Sequence, residues 1–417
     1  MSSENNSCTP KLRFPGFTGE WEEKKLGDIA KKKNKRNNNL KVTRVLTNSA
    51  NEGIVDQSSY FDRDIAVKDN TANYHLVDTD DFVYNPRIST AAPVGPISIN
   101  KVGLGIMSPL YTVFKFHSEN VSFLEHYFQT SIWHSYLKSI ANFGARHDRM
   151  NITSEGFFNM PIFLPSLEEQ EKIASFLSEL DALISAQDQK VERLKEHKKG
   201  LMQQLFPQPG ESKPRLRFPE FSGEWEEKTL DEVFKRITTR NVENNQNVLT
   251  ISAQYGLISQ LDYFKKSVSA SDVTGYYLLE KGDFAYNKSS SQGKPVGAIK
   301  PLKLYEKGVV STLYICFRCD IPDSIGYWEQ YFDAGIFDCE IMSIAQEGAR
   351  NHGLLNVPTG DFFKLKVKMP NLSEQQKIAN CLAQFDKIIS SESTKLEALQ
   401  AHKKGLMQQL FPTPSKS

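Results

Sequence analysis

The sequence has no continuous run of about 18 apolar residues, so no segment is expected to cross a membrane. Its first residues, Met1–Ser7, are polar and hold no apolar signal segment, which leads us to expect a cytoplasmic protein. Cysteine is scarce, and the odd number of 5 argues against a disulfide framework in such a chain. What is left is a protein of 417 residues, long enough for two or more domains.

Motifs of the common enzyme classes are also missing. There is no F-x-G-x-G cofactor loop, and Asn85-Pro86-Arg87 stops one proline short of the Asn/Asp-Pro-Pro-aromatic motif of an adenine methyltransferase. The chain has neither a G-x-x-x-x-G-K-[ST] phosphate loop nor a G-x-S-x-G nucleophile turn. We therefore expect a non-catalytic protein with no cofactor of its own.

A metal site is not supported either. Cys316 and Cys319 have the spacing of a zinc-binding pair, but Cys339 and His352 do not complete a usual ligand pattern. The pair falls in a β-type run, and its aligned partners in the first half of the chain are apolar. Ordinary strand packing explains both cysteines, so we expect no metal.

The charge balance excludes one kind of nucleic-acid binder. The 51 lysines and arginines against 50 aspartates and glutamates give a net charge of +1. A protein that coats DNA regardless of sequence needs a basic surface overall. Any contact with DNA must therefore rest on local basic patches.

What the chain does contain is an internal repeat, at an offset of about 204 residues. KLRFPGFTGEWEEKKL at residue 11 returns as RLRFPEFSGEWEEKTL at residue 215. The segment Pro165–Pro207 returns as Pro370–Pro412 with roughly 25 of 43 positions identical, and HKKGLMQQLFP is unchanged. The chain is two copies of one unit in series.

The middles of the two copies are far more diverged. DFVYN at residue 81 matches DFAYN at residue 283, and SPLYTVFKF at residue 108 matches STLYICFRC at residue 311. Two copies of one reading device that read different things would show this pattern. Neutral drift is the alternative, although drift alone should not spare the helical segments so selectively.

Each conserved segment predicts a long helix. Apolar residues recur every three or four positions from Ile173 to Leu205 and from Ile378 to Leu410, as in a coiled coil. The predicted start and stop signals are Ser166 with Glu169, Ser373 with Gln376, Pro207 and Pro412.

Helices of this length exceed one small domain, so we expect them to pair antiparallel with the globular domains at opposite ends. Polar residues in the seam would fix the register of that pairing. The alternative is that each helix docks a separate partner and the two never meet. The polar seam residues are Gln187, Lys198, Glu392 and Lys403.

The middles alternate short β-rich runs with Gly, Asn, Asp and Pro clusters. Helical patterns appear near Phe123–Ser139 and Ile325–Ile341. We predict a mixed α/β fold of the α+β class, with two globular domains that are each followed by a long helix. The predicted boundaries are 11–164, 165–207, 208–369 and 370–412.

This order of parts resembles the specificity subunit of a type I restriction–modification system. The resemblance covers essentially the full length and rests on P-x-L-x-E-Q-x-K-I-A opening each helix and H-K-K-G-L-M-Q-Q-L-F-P closing it. It implies that 11–164 and 208–369 are target recognition domains. It also implies that the helices form an antiparallel coiled coil that spaces the two domains.

The resemblance further implies double-stranded DNA, two methyltransferase subunits and two restriction subunits as partners. S-adenosylmethionine, ATP and Mg²⁺ would be bound by those subunits. Because the two domains differ, we expect an asymmetric bipartite target that directs adenine methylation and restriction by the partners. The alternative function is a scaffold or repurposed copy that does not read DNA sequence.

Polar loops are the candidates for base reading, because arginine suits guanine and asparagine suits adenine at the groove edges. His147 and Asn351 differ between the copies and are the better candidates for specificity, whereas the shared arginine could equally anchor the loop. The Gly-Ala-Arg loops offer Arg146, His147 and Arg149 in the first copy and Arg350, Asn351 and His352 in the second.

A second group follows the DFxYN strand. The shared Asn85 and Asn287 are predicted to hold a turn, and the cations after them are candidates for phosphate or base contacts. The candidates of this group are Arg87, Ser89, Lys288 and Ser289.

The third group is the densest basic run of the chain. Such a run is often only a solvated loop, but in a DNA-binding protein it neutralises phosphate. Its candidates are Lys31, Lys32, Lys33 and Arg36, with Arg236 and Arg240 as the diluted counterpart.

Two further repeated motifs attract attention. Trp21 and Trp225 are predicted aromatic anchors ahead of each domain, with core packing as the favoured interpretation. The HKKG segments are predicted to contact the methyltransferase subunits, with a solvated helix face as the alternative. The residues concerned are His197, Lys198, His402 and Lys403.

Overall fold

The computed structural model describes residues 9–60, 71–117, 120–142, 148–252, 256–264, 272–290, 294–345, 353 and 355–412. The chain forms two compact units. Unit 1 comprises residues 1–187 and 395–417, and unit 2 comprises residues 188–394. The units cut across the boundaries predicted above, because each long helix contributes residues to both.

The first copy of the repeat contains short strands, short helices and one long helix. The strands are β1 (Glu22–Lys25), β2 (Ala30–Lys32), β3 (Leu46–Ser49), β4 (Gly53–Asp56), β5 (His75–Val77), β6 (Phe82–Tyr84), β7 (Ile97–Ile99), β8 (Gly105–Met107), β9 (Thr112–Phe116) and β10 (Pro161–Leu164). The helices are α1 (Leu26–Ile29), α2 (Gln57–Tyr60), α3 (Val121–Phe128), α4 (His134–Ile140), α5 (Ser154–Phe158) and α6 (Leu167–Leu205).

The second copy contains the same strands and α-helices in the same order, and a 3₁₀ helix, Pro322–Ser324, precedes the helix that follows its ninth strand. The strands are β11 (Glu226–Thr229), β12 (Phe234–Ile237), β13 (Leu249–Ser252), β14 (Gly256–Ser259), β15 (Tyr277–Glu280), β16 (Phe284–Asn287), β17 (Ala298–Pro301), β18 (Lys307–Val310), β19 (Ile315–Cys319) and β20 (Lys366–Met369). The helices are α7 (Leu230–Val233), α8 (Gln260–Phe264), α9 (Ile325–Asp333), α10 (Asp338–Ile344), α11 (Thr359–Phe363) and α12 (Leu372–Leu410).

The same antiparallel sheets form in both units, which confirms the mixed α/β class. A four-stranded sheet has the order β2-β9-β6-β7 in unit 1 and β12-β19-β16-β17 in unit 2. Two-stranded sheets accompany it: β1-β10, β3-β4 and β5-β8, and likewise β11-β20, β13-β14 and β15-β18. The single helices predicted after β9 and β19 are each two short helices, and Gly335 has a φ of +75° between α9 and α10.

Alternating side chains of the four-stranded sheet supply two separate cores. In unit 1 the cross-strand pair Phe82 and Phe114 belongs to the large aromatic core, and the next pair, Val83 and Val113, belongs to a smaller one. Trp21 is 3% exposed and packs against Phe123 with 5.7 Å between ring centroids. Core packing, the favoured interpretation of this tryptophan, is confirmed.

The repeated LFP ends of the long helices also enter these cores. In unit 1, Phe411 is 5.4 Å from Phe123 between ring centroids. In unit 2, Phe206 packs in the same manner against Tyr327 at 5.6 Å. The identical motifs HKKGLMQQLFP thus make equivalent contacts with the globular parts of the two units.

The predicted seam of each long helix is buried or half-buried at every position from Ile173 to Leu205 and from Ile378 to Leu410. Each helix has 39 residues, or roughly 58 Å at 1.5 Å per residue. Ser166 caps α6 by accepting a hydrogen bond from Glu169 N. The predicted cap Ser373 lies inside α12 instead, and Asn371 caps that helix because its side chain accepts from Glu374 N at 3.0 Å.

Ion pairs in unit 2 show the relative direction of its two helix segments. Lys190 lies 2.6 Å from Glu392, and Lys198 lies 2.6 Å from Asp386. The partner number falls as the lysine number rises, so these segments run antiparallel. In unit 1 the equivalent pair is Lys403 with Asp181 at 2.5 Å.

A buried carboxylate at the start of each long helix binds an arginine from the repeated RFP motif. In unit 1, Arg13 Nε and Nη2 each lie 2.7 Å from the carboxylate of Glu169. In unit 2, Arg217 Nε and Nη2 lie 2.8 and 2.7 Å from the carboxylate of Glu374, which is 0% exposed. The E-Q and RFP motifs therefore recur together because they bind each other.

A glycine turn crosses closely over the asparagine that follows β6 in unit 1 and ends β16 in unit 2. Gly95 and Gly297 have φ values of +79° and +87°, and a Cβ at either would lie 2.0 Å from the carbonyl oxygen of Asn85 or Asn287. Only glycine permits this approach. The turn therefore fixes the backbone that carries the polar candidates after these strands.

We expect Gly297→Ala to lower the free energy of unfolding by about 2–3 kcal/mol, since the new methyl group overlaps a backbone oxygen and the φ is strained. Gly256→Ala is the matched control, because Gly256 has a φ of +72° but no atom of the described residues lies within 4 Å of its Cβ position. Urea unfolding of the full chain measures both. Equal losses for the two variants would show that the close approach is unimportant.

Two features that were not expected from the sequence, a membrane span and a metal site, can be compared with the structure. No helix in the described part of the chain is both long and apolar enough to cross a membrane. Cys316 and Cys319 are buried in β19, as strand packing predicts, and burial raises the pKa of both thiols. Among the described residues, no group of three or more His, Cys, Asp and Glu side chains could hold a metal ion.

Candidate nucleic-acid interface

Most side chains of the DFxYN motif support the scaffold. The hydroxyl groups of Tyr84 and Tyr286 donate to the carbonyls of Val94 and Val296 at 3.0 and 2.7 Å. The asparagines hold the predicted turn, which is confirmed. Asn85 Oδ1 accepts from Arg87 N at 3.0 Å, and Asn287 Oδ1 accepts from Ser289 N at 3.1 Å.

These hydrogen bonds give the register of the second group of candidates, in agreement with the alignment of DFVYN with DFAYN. Arg87 corresponds to Ser289, not to Lys288, and Lys288 takes the place of Pro86. The next strand agrees, because Met150 N donates to Pro86 O and Leu355 N donates to Lys288 O. The cations that follow the DFxYN strand therefore stand at different positions in the two units.

Lys33, one of the lysines of the basic run, is not a free cation. Its Nζ lies 2.7 Å from Asp78 Oδ2 and 2.5 Å from Oδ2 of Asp81, which is 0% exposed. Burial lowers the pKa of Lys33, but the hydrogen bonds and charges of the two aspartates outweigh it and raise the pKa above its ordinary value. The ammonium group compensates a buried acid and is not free for phosphate.

Arg36 and Arg240 have the same structural role in the two units. Arg36 Nη1 donates to the carbonyl of Asn73, and Arg240 Nη1 donates to the carbonyl of Gly275. Arg240 also lies over the ring of Tyr277, 5.0 Å from its centroid. Because the contact recurs, it indicates loop anchoring, although both side chains keep an exposed surface.

Lys31, Lys32 and Arg236 lie on the outer strand of each four-stranded sheet. All three are exposed. Lys32 Nζ lies 3.1 Å from Ser154 Oγ, and no described carboxylate pairs with any of the three. Of the basic run, these side chains remain available to an anionic partner.

In unit 1, Arg87 and Arg149 face each other across an antiparallel bridge. Like charges placed opposite each other in this geometry destabilise a fold. Arg87 is exposed and has no carboxylate partner among the described residues, while Arg149 Nε lies 3.9 Å from Asp148 without a hydrogen bond. Two arginines at paired positions with so little compensation are candidates for binding an anion.

Unit 2 has a small open cleft with a different cationic lining. Arg236 and Lys288 both line it, and Lys288 is half-buried. Burial lowers the pKa of Lys288 below its ordinary value, and no carboxylate opposes that effect. The polar and aromatic lining residues are Arg236, Tyr277, Lys288, Thr312, Tyr314 and Thr359.

Sequence reasoning missed several residues of this cleft and of the equivalent place in unit 1. Tyr277 and Thr359 line the cleft in unit 2, and His75 and Ser154 are their equivalents in the first copy. Burial, and then the charges of Arg36 and Lys32, lower the pKa of His75, so its imidazole is neutral near pH 7. A residue-by-residue alignment of the repeat would have shown that Tyr277 stands in place of His75 and Thr359 in place of Ser154.

Other candidates have plainer surroundings. Ser89 Oγ accepts a hydrogen bond from Ala92 N at 3.1 Å and so closes a turn, while Ser289 is exposed. The predicted contacts of the Gly-Ala-Arg loops fall outside the described residues. These are Arg146, His147, Arg350, Asn351 and His352.

The HKKG prediction needs a correction for its lysines. Lys198 and Lys403 are only 13% and 14% exposed in their side chains, and each forms an ion pair within its own unit. They are therefore not free for a partner subunit. His197 and His402 are exposed, although the ring of His197 lies edge-on to Phe385 with 5.3 Å between centroids.

Comparison with known proteins comes from a family model first. The model described as the type I restriction modification DNA specificity domain matches residues 18–196 and 222–401. Each copy of the repeat therefore carries one match, and the two matches cover most of the chain.

Two curated relatives from Methanocaldococcus jannaschii are similar in sequence. The type I restriction enzyme MjaVIII specificity subunit is 28% identical over 281 residues, which is 61% of this chain and 62% of that protein. The putative type I restriction enzyme MjaX specificity subunit is 27% identical over 211 residues, or 45% of each chain. The matched region is less than two thirds of either relative.

Solved structures share the fold over nearly the full length. One comes from work on complex assembly and conformational transition of the type I R-M system, with a TM-score of 0.53, 14% identity and coverage of 96% of this chain and 98% of that one. The type I restriction–modification S subunit from M. genitalium has a TM-score of 0.54 at 12% identity and covers 97% and 99%. At these identities the likeness is one of fold.

Proposed function

This chain belongs to the family of type I restriction–modification specificity subunits, and from that premise we propose that it recognises a bipartite, asymmetric DNA target. Each unit reads one half-site. The chain itself performs no catalysis. Methyltransferase and restriction subunits assemble on it and bring S-adenosylmethionine, ATP and Mg²⁺ to the DNA that it selects.

The observation that carries this proposal is the arginine pair of unit 1. Arg87 and Arg149 face each other although like charges repel, and the described residues supply little compensation. A fold retains such a pair when a ligand neutralises it, and the acceptor oxygens of DNA are suitable ligands. The pair follows the DFxYN strand, which the scaffold hydrogen bonds hold in place.

The difference between the two units supports an asymmetric target. Unit 1 has arginine where unit 2 has Ser289, and unit 2 has Lys288 where unit 1 has proline. Donors at different positions cannot make the same set of contacts with one sequence. The scaffold below them is the same, so the two units differ in what they bind and not in how they fold.

The test is to purify the chain with the methyltransferase subunit encoded beside it and to map which adenines become methylated. A defined motif in two parts with a constant gap supports the proposal. Stable assembly with methylation at no preferred sequence would leave the scaffold function as the better description.

The gap between the half-sites should depend on helix length. Deleting one heptad from both α6 and α12 shortens each by about 10 Å, which corresponds to about three base pairs of DNA. We expect the methylation map to keep both half-sites and to lose about three base pairs from the gap. As a control, exchanging the same heptads for others of equal length and seam pattern should leave the gap unchanged; a constant gap in the deletion variant contradicts the proposed spacing role.

A further inference from the structure

The cleft of unit 2 stands out by its charge. Neighbouring cations of this unit are neutralised: Lys300 lies 2.6 Å from Asp333, and Arg318 lies 2.6 Å from Asp283. Arg236 and Lys288 have no such partner among the described residues, although both line one cleft. A half-buried ammonium group without a counterion costs stability, which indicates that the cleft is built for an anion.

The chemistry of the lining narrows the class of anion. The cleft offers the donors of Arg236 and Lys288 together with the hydroxyl groups of Thr312 and Thr359. The lining contains no carboxylate or amide side chain among the described residues. Every phosphate presents acceptors alone, whereas of the four bases only guanine and thymine do so at their major-groove edges. A site of cations and hydroxyl groups therefore suits phosphate better than a base.

Arg240, which lies over the ring of Tyr277, adds to the positive charge near the site. Arg240 lies over this ring, 5.0 Å from its centroid, and is held there by the carbonyl of Gly275. The aromatic wall of the cleft is thus backed by a third cation. This arrangement also keeps the tyrosine side chain in place beside Arg236.

The equivalent place in unit 1 lacks these properties. Pro86 stands where unit 2 has Lys288, and the neutral His75 stands where unit 2 has Tyr277. The remaining cation, Lys32, is hydrogen-bonded to Ser154. In unit 1 the paired cations are Arg87 and Arg149 instead. Arg87 lies one residue after Pro86 in the chain.

We propose that the Arg236–Lys288 cleft of unit 2 binds a backbone phosphate of the DNA, and that unit 1 has no counterpart at this place. The proposal rests on the proposed function, since it assumes that this chain binds DNA. In this proposal the cleft helps to position the protein on the DNA and contributes to the affinity for DNA. The choice of bases then belongs to other residues of the unit.

The test uses Lys288→Gln and Arg236→Gln in the complex with the methyltransferase subunit, with DNA affinity measured over a range of salt concentrations. We expect each variant to reduce the slope of log K against log salt by about 0.9, with the methylated motif unchanged. Lys288→Arg keeps the charge and should keep the slope. Lys281→Gln, which removes an exposed lysine paired with Glu306 at 2.7 Å, is the control of equal charge and should leave the slope unchanged.

Three results would overturn the proposal. An unchanged slope in both variants would show that no DNA phosphate occupies the cleft. A changed base preference at one position would make the cleft a base reader. Tight binding of inorganic phosphate to the complex without DNA, lost in Lys288→Gln while the DNA slope stays constant, would assign the cleft to a free anion. If the wild-type complex methylates no defined motif, the proposed function itself is contradicted. If the wild-type complex has a defined motif but the salt slope is unchanged in the variants, only the role of the cleft is contradicted.

Discussion

Replacing Arg217 by methionine is expected to lower the free energy of unfolding by about 3–5 kcal/mol. The substitution keeps most of the apolar stem but leaves the carboxylate of Glu374 buried and without its cation. The lost contacts include both charge-assisted bonds to Glu374 and those to the carbonyls of Ser222 and Gly223. Hydrogen exchange across unit 2 of the full chain, together with urea unfolding, measures the loss.

A double variant separates the buried charge from the packing. Arg217→Met with Glu374→Met replaces the ion pair by apolar side chains, and such exchanges are often close to neutral. We expect it to recover more than half of the loss. Lys377→Met is the exposed control, because its pair with Glu220 at 3.0 Å is half open to solvent and should be worth less than about 1 kcal/mol. A loss in Arg217→Met no larger than in this control contradicts the prediction.

The buried pair explains why two distant motifs of the sequence are conserved between the copies. Arg217 and Glu374 are far apart in the chain, and so are Arg13 and Glu169. No local sequence pattern connects the RFP motif with the E-Q motif, because an ion pair between distant residues produces no periodicity in the sequence. The internal repeat marked both motifs as important, but only the fold showed that they are one interaction.

The long helices were the most predictable elements. Their seams depend on a period of three to four residues within one continuous segment, which is local information. The observed ends, Leu205 and Leu410, lie two residues before the predicted stop signals Pro207 and Pro412. The cap of α12 was wrong because Asn371 and Ser373 are both good caps, and the sequence does not choose between them.

Strand order and unit boundaries could not be predicted in this way. β9 pairs with β2 and β6, so the central sheet joins strands that are separated by other elements. Phe411 packs against Trp21 with 6.1 Å between ring centroids, and this contact joins the two ends of the chain in unit 1. Such contacts depend on packing between distant segments and not on any local pattern.

The candidate site combines residues suggested by the sequence with residues that only the fold places beside them. The cations after the DFxYN strand were candidates from the sequence, and the turn hydrogen bonds agree with the alignment of DFVYN with DFAYN, which places Lys288 opposite Pro86 and Ser289 opposite Arg87. Lys33 was misjudged because a dense basic run in sequence gives no sign of which lysine faces a buried acid. Burial and partners, which decide between a free and a structural cation, are properties of the fold.

The buried acid of the DFxYN motif obtains its cation from different strands in the two units. In unit 1, Lys33 at the end of β2 pairs with Asp81. In unit 2, Ile237 occupies the position of Lys33, and Arg318 on β19 pairs with Asp283 at 2.6 Å. Lys115 is the residue of β9 that corresponds to Arg318. The acid therefore has the same position in both units, whereas its cation comes from a different strand in each.

We expect Lys33→Ile to lower the free energy of unfolding by about 3–5 kcal/mol, because it leaves Asp81 buried without its cation. Adding Lys115→Arg installs the arrangement of unit 2 and should recover more than half of that loss. Lys115→Arg alone should be close to neutral. A double variant as unstable as Lys33→Ile would show that the two units do not share this geometry, and urea unfolding of the full chain decides it.

The rescued double variant also tests whether the charge of Lys33 is needed for DNA. It carries one cation fewer than the wild type, since Lys115→Arg preserves charge. If Lys33 contacted a phosphate, the salt slope of DNA binding would fall by about 0.9. We expect no change, because the ammonium group of Lys33 is committed to Asp78 and Asp81. A slope that falls in the stable double variant would return Lys33 to the interface and would separate its role in DNA binding from its role in the fold.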